Sequence, residues 1–128
     1  MPDQTFQRGE RLKSRTEIGR LFGRQGQSFA KYPLRLLWLP MEEPRSTFPV
    51  QFTVSVPKRR FKRAVLRNRL RRRIREAYRL HKHELYERLG PGHPQYAWLI
   101  LYVGQEELDM ATIEAAMRKV IQRFIRDL

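Results

Sequence analysis

Cysteine is absent from the 128 residues. That excludes a disulfide framework, a thiolate metal centre and a cysteine nucleophile. Acid is scarce: 13 Asp and Glu stand against 27 Lys and Arg, a formal charge of +14. No apolar run approaches the roughly 18 residues of a membrane helix. The first residues, MPDQTFQRGERLK, lack the apolar centre of a signal peptide, so a cytoplasmic protein is expected. Histidine is rare as well. His81 and His83, two apart, would face different ways on a helix, and His93 lies in a Gly/Pro loop. HELYE lacks the second histidine of a zinc-protease helix. The acid pairs Glu42-Glu43 and Glu106-Glu107 are adjacent loop residues and read as solvated. There is no glycine-rich phosphate loop. With no placed base and no metal-ligand set, the chain is not expected to catalyse a reaction alone.

What is present suits a folded protein: 41% apolar and 31% charged residues. The length is most simply one domain over 1–128, with 1–9 loosely ordered. SRTEIGRLF, from Ser14, predicts a short helix with Ser14 as cap and Glu17 at capping-box spacing. Ile18, Leu21 and Phe22 share one of its faces. The two glycines of GRQGQS break it. PLRLLWLP (33–40) predicts a strand bounded by prolines. In FPVQFTVSVP (48–57), Val50, Phe52, Val54 and Val56 alternate with Gln51, Thr53 and Ser55. This is a half-buried strand whose second face is polar but uncharged. GPGHP (90–94) is a break, YAWLILYV (96–103) an interior strand, and MATIEAAMRKVIQRFIRDL a terminal amphipathic helix. The order is helix, two or three strands, basic helix, strand, helix: an α+β fold, αβββαβα with three strands before the basic helix that crosses between two strands.

The basic helix, from about Ala64 to beyond Tyr78, concentrates the charge. Residues 58–79 hold twelve Lys and Arg against the single Glu76. At about 100° per residue, Leu66, Leu70, Ile74, Ala77 and Tyr78 form one apolar stripe. Asn68, Arg71, Arg72, Arg75 and Arg79 centre on the opposite side, with Arg69 and Arg73 at its flank. Like charges at this spacing oppose helix formation, so an external polyanion is implied. Arginine, unlike lysine, grips phosphate bidentately and stacks on bases.

A membrane-surface helix needs large apolar residues at the water boundary, and here the apolar stripe serves the core. A DNA-reading basic helix needs a heptad seam for dimerisation, and after Tyr78 the pattern decays into LHKHELYERLGPG. A folded RNA, with dense phosphates and exposed bases, is the better partner.

Arg67-Asn68-Arg69, followed by a basic helix and Arg75-Glu76-Ala77, resembles the RNR signature of the bacterial ribonuclease P protein subunit. FQRGERLKSRTEIGRLF is similar to that family's N-terminal segment, FTVSVPKRRFKRAVLRNR to its third strand and signature, and YAWLILYV to its fourth strand. The likeness runs from about residue 6 to 125. Three positions depart from it. Phe61-Lys62-Arg63 stands where many members have a glycine, Ile18 where many have an aromatic, and Tyr102-Val103-Gly104 where many end the strand with a basic residue. The resemblance implies a two-layer α/β sandwich with a left-handed βαβ crossover, against the usual hand. It implies a protein that assists a catalytic RNA in removing the 5′ leader of precursor tRNA, with Mg²⁺ required by the holoenzyme and no cofactor held by the protein alone. Its partners would be that RNA and precursor tRNA, with no DNA and no membrane.

On this resemblance, Arg63, Arg67, Asn68, Arg69, Arg71, Arg72, Arg73 and Arg75 would dock the catalytic RNA. Asn68 has two readings, holding its neighbours or touching RNA. A cleft of Arg11, Ile18, Phe22, Gln51, Thr53, Ser55, Lys58 and Arg59 would hold the leader, by stacking and by polar contacts tolerant of sequence. Phe22 also reads as plain core, and Lys58 and Arg59 as a generic basic fringe. The competing assignment is a ribosomal or other structural RNA-binding protein, whose usual mark is a long basic tail.

Overall fold

The architecture follows from two strands that are apolar on both faces. A computed structural model describes residues 5–128. In it β2 (Leu34–Pro40) and β4 (Tyr96–Tyr102) lie antiparallel at the centre of a four-stranded sheet. Leu34, Leu36, Trp98, Ile100 and Tyr102 turn to one face, and Leu37, Leu39, Ala97 and Leu99 to the other. Cover on both sides is what a near-continuous apolar run demands. β1 (Gln27–Lys31) and β3 (Val50–Ser55) form the edges, giving the order β1-β2-β4-β3. β1 pairs antiparallel with β2, and β3 parallel with β4. A parallel pair requires a crossover, and α2 (Ala64–Arg88) supplies it. α2 and α3 (Met110–Arg126) share the larger core, and α1 (Arg15–Leu21) covers the opposite face. The element order is αβββαβα, preceded by a 3-10 turn at Arg8–Glu10.

Aromatic packing seats α2 and α3 on the sheet. Tyr78 of α2 stacks on Phe52 of β3, with centroids 4.0 Å apart and planes 3° from parallel. Trp98 of β4 meets Phe124 of α3 edge-on at 5.0 Å. Rings of this size bury roughly 150–250 Å² each, so they orient α2 firmly and fix which arginines face outward.

Loose ordering is expected of residues 1–9, part of which can be described. Residues 1–4 lie outside the described residues; from Thr5 the chain is held down. Phe6 packs edge-on against Phe52 and Tyr78, at 5.9 and 6.1 Å. Lys82 donates from Nζ to the Thr5 carbonyl at 2.7 Å and to the two oxygens of Glu10 at 2.7 and 2.9 Å. Tyr86 Oη donates to Glu10 Oε1 at 2.6 Å. Burial raises the pKa values of Tyr78 and Tyr86 well above the usual phenol value, so both hydroxyls keep their protons. Leu12 N then donates to Phe52 O at 3.0 Å, laying the segment along the open edge of β3.

Two local features set α1. Ser14 Oγ accepts from Glu17 N at 3.2 Å, the cap read from the sequence. The Glu17 carboxylate turns instead to Arg20 Nη1 at 3.1 Å. At the far end, a Cβ on Gly26 would lie 2.0 Å from the Leu21 carbonyl oxygen. Only glycine lets the chain reverse that closely into β1, which begins at Gln27, inside the stretch read as a break.

Candidate nucleic-acid interface

α2 rests on the core through Leu70, Ile74, Ala77, Tyr78 and Leu85. Its arginines and those just before it then divide into three groups. Arg63, Arg72 and Arg75 are exposed, and their side chains have no hydrogen bond or ion pair among the described residues. Lys58 and Arg59, in the turn after β3, are likewise exposed and unpaired among the described residues. A second group serves the helix itself. Arg67 Nη1 donates to the carbonyls of Phe61 and Lys62 at 2.7 and 2.8 Å, closing the turn that leads into α2. Arg71 Nη1 donates to Asn68 Oδ1 at 3.0 Å, so Asn68 holds a neighbour in place.

The third group faces the loop after β4. Arg69 grips the Glu107 carboxylate with two nitrogens, Nη2 lying 2.8 Å from Oε1. Arg73 donates from Nη1 to the Leu108 carbonyl at 2.8 Å and lies 3.4 Å from Glu107 Oε2. Glu107, expected simply to be solvated, is partly open to solvent but paired with two arginines. The reason is Tyr102, whose hydroxyl donates to Glu106 O at 2.6 Å and accepts from Leu108 N at 3.1 Å, folding the loop back towards α2. The hydrogen bond from Arg69 holds the Glu107 carboxyl below its ordinary value, and the Arg69 guanidinium is raised in return.

On the other flank of α2, the N-terminal segment and β3 frame a basic groove. One part, about 510 Å³, is lined by Arg8, Arg11, Lys13, Arg45, Ser14 and Gln51. The next, about 200 Å³, shares Arg11 and Lys13 and adds Phe6, Phe52, Thr53 and Arg75. Arg75 is lowered from its ordinary value by partial burial, then by repulsion from Arg11 and Arg71. Arginine cannot relieve that repulsion by losing a proton. Such a cluster of cations is relieved by an anion in the groove.

The family described as Ribonuclease P matches residues 6–125. The chain belongs to the ribonuclease P protein family. It is 44% identical over 117 residues to the ribonuclease P protein component of Porphyromonas gingivalis strain ATCC 33277, covering 91% of this chain and 83% of that one. It is 36% identical over 102 residues to that of Chlorobaculum tepidum, covering 74% and 65%. The fold is similar to the solved RNase P proteins of Staphylococcus aureus (TM-score 0.68, 20% identity, 90% of this chain and 94% of that one) and Thermotoga maritima (TM-score 0.68, 19% identity, 89% and 96%). The family match decides against a ribosomal protein.

Within this ribonuclease P fold, the structure gathers Arg11, Gln51, Thr53 and Arg75 into the groove. Gln51 is more enclosed than a solvent-facing strand position, because its Nε2 donates to Gly9 O at 3.1 Å. Ser55 is half-buried at the end of β3, with Lys58 and Arg59 just beyond it. Ile18 is half-buried against Leu12, Leu21 and Leu37 and lines neither part of the groove. Phe22 is 59% exposed at the end of α1 rather than packed in the core. Sequence reasoning missed Arg8, Lys13 and Arg45. The first two flank Arg11 in RGERLK and could have been found by their charge; Arg45, in the loop before β3, gave no signal. The described residues contain no cluster of three or more His, Asp or Glu able to hold a metal ion. No helix among them is long and apolar enough to cross a membrane.

Proposed function

We propose that this chain is the RNA-binding subunit of a cytoplasmic endoribonuclease that removes the 5′ leader of precursor tRNA. The chemistry belongs to the catalytic RNA, which holds the Mg²⁺ the reaction requires. The observation that carries the reading is the exposed face of α2, where Arg63, Arg72 and Arg75 stand unpaired among the described residues while the opposite face is locked into the core.

Each part of the surface then has a task. The α2 face neutralises phosphates of the catalytic RNA and sets the orientation of the complex. Asn68 steadies Arg71 for that contact. The groove of Arg11, Lys13, Gln51, Thr53 and Arg75 follows the leader backbone, and Phe22 offers a ring on which a leader base stacks. Every base has a π-face, so this geometry accepts leaders of varied sequence. By binding both RNAs the subunit raises the local concentration of substrate at the ribozyme.

The test mixes the protein with ribonuclease P RNA and precursor tRNA at low Mg²⁺. Cleavage above the rate of RNA alone is expected; no increase overturns the proposal.

A further inference from the structure

Tyr32, in the turn between β1 and β2, is 65% exposed. It stands where three segments converge at the end of β4. Val103 N donates to Pro33 O at 2.8 Å, tying the Tyr32 turn to that strand end. Arg60 Nη1 donates to Val103 O at 2.9 Å, tying the basic turn before α2 to the same residue. Tyr102 at that strand end packs against Phe61 at 5.6 Å, and its hydroxyl pKa is raised by burial first and, more weakly, by Tyr32. Two hydrogen bonds through one residue therefore tie the turn carrying an exposed aromatic to Arg60, which belongs to a basic stretch whose Lys58, Arg59, Lys62 and Arg63 are also exposed. Val65, at the start of α2, is exposed as well.

A tyrosine in this setting has a definite chemistry. Its ring is flat and largely exposed, and its turn is tied through Val103 to a cationic one. A lone exposed tyrosine is ordinary; one on a turn joined through Pro33 and Val103 to an arginine of a basic surface is placed to act as a stacking platform. We infer that Tyr32 extends the RNA-docking surface of α2 and stacks an unpaired base of the catalytic RNA, while Arg59, Arg60 and Lys62 take the adjoining phosphates. This rests on the proposed function and adds to it a contact with no counterpart in the groove.

The test measures affinity for the catalytic RNA across a salt series, with wild type, Tyr32→Ala, Tyr32→Phe and Arg72→Ala. Tyr32→Ala is expected to bind about tenfold more weakly with its salt slope unchanged, because stacking releases no counterions. Tyr32→Phe retains the ring and is expected to bind as wild type. Arg72→Ala is expected to flatten the slope. If Tyr32→Ala binds as wild type, or Tyr32→Phe loses as much as Tyr32→Ala, the stacking assignment is overturned while docking through α2 stands. Failure of the wild type to bind the RNA removes the docking reading itself. Unchanged thermal unfolding of the Tyr32 variants excludes a folding defect.

Discussion

Lys82 on α2 and Glu10 on the N-terminal segment form an ion pair of 2.7 Å in which both side chains are buried. A lysine this deep is tolerated only because its ammonium donates to both Glu10 oxygens and to Thr5 O. The pair fastens the segment carrying Arg8, Arg11 and Lys13 to the helix carrying Arg75, so it assembles the groove from two distant parts of the chain.

Breaking that pair strands a buried charge. Lys82→Ala or Glu10→Ala is expected to destabilise the fold by about 3–5 kcal/mol. The double variant should lose less than the sum of the two. A double-mutant cycle by urea unfolding reads this directly; additive losses would show that the charges do not depend on each other.

Glu107 restrains two arginines, so removing it should strengthen RNA binding. Glu107→Gln is expected to steepen the salt dependence of RNA affinity, by about 0.7–0.9 in logarithmic slope for each arginine that gains a phosphate. An unchanged slope would place Arg69 and Arg73 outside the interface.

The same carboxylate carries a pH signature. Glu107 is held below its ordinary 4.5 by Arg69, and Glu76 below the same value by Arg79. A depressed carboxyl contributes stability above its unfolded value and loses it as pH falls through the folded one. Urea midpoints should therefore decline only below about pH 4.5, and more gently in Glu107→Gln. Both pairs are solvent-exposed, so added salt should blunt the effect.

Arg67 and Arg72 separate architecture from contact. Arg67→Ala removes the guanidinium that closes the Phe61-Lys62 turn and should cost about 1–2 kcal/mol of stability. Arg72→Ala should leave stability within about 0.5 kcal/mol and lower the RNA salt slope by about 0.7–0.9. Chemical unfolding and filter binding on the two variants distinguish the roles.

Phe22 is exposed, so Phe22→Ala should also leave stability within about 0.5 kcal/mol. Binding of precursor tRNA with a leader should weaken, while mature tRNA binds as before. Equal loss for both would remove Phe22 from the leader path.

The sequence by itself determined the charge and the elements other than β1. Alternation in β3, the double-faced runs of β2 and β4, and the stripe of Leu70, Ile74, Ala77 and Tyr78 are local patterns, legible because burial repeats with the period of the backbone. The RNR signature lies within one helix and is legible for the same reason. Tertiary structure alone decided which arginines stand open. Glu107 lies 38 residues from Arg69 and Glu10 lies 72 from Lys82, and neither pairing has a spacing to read. Only the folding of the β4–α3 loop around Tyr102, and of the N-terminal segment along β3, turned a uniformly basic helix into one neutralised flank, one open face and one wall of a groove.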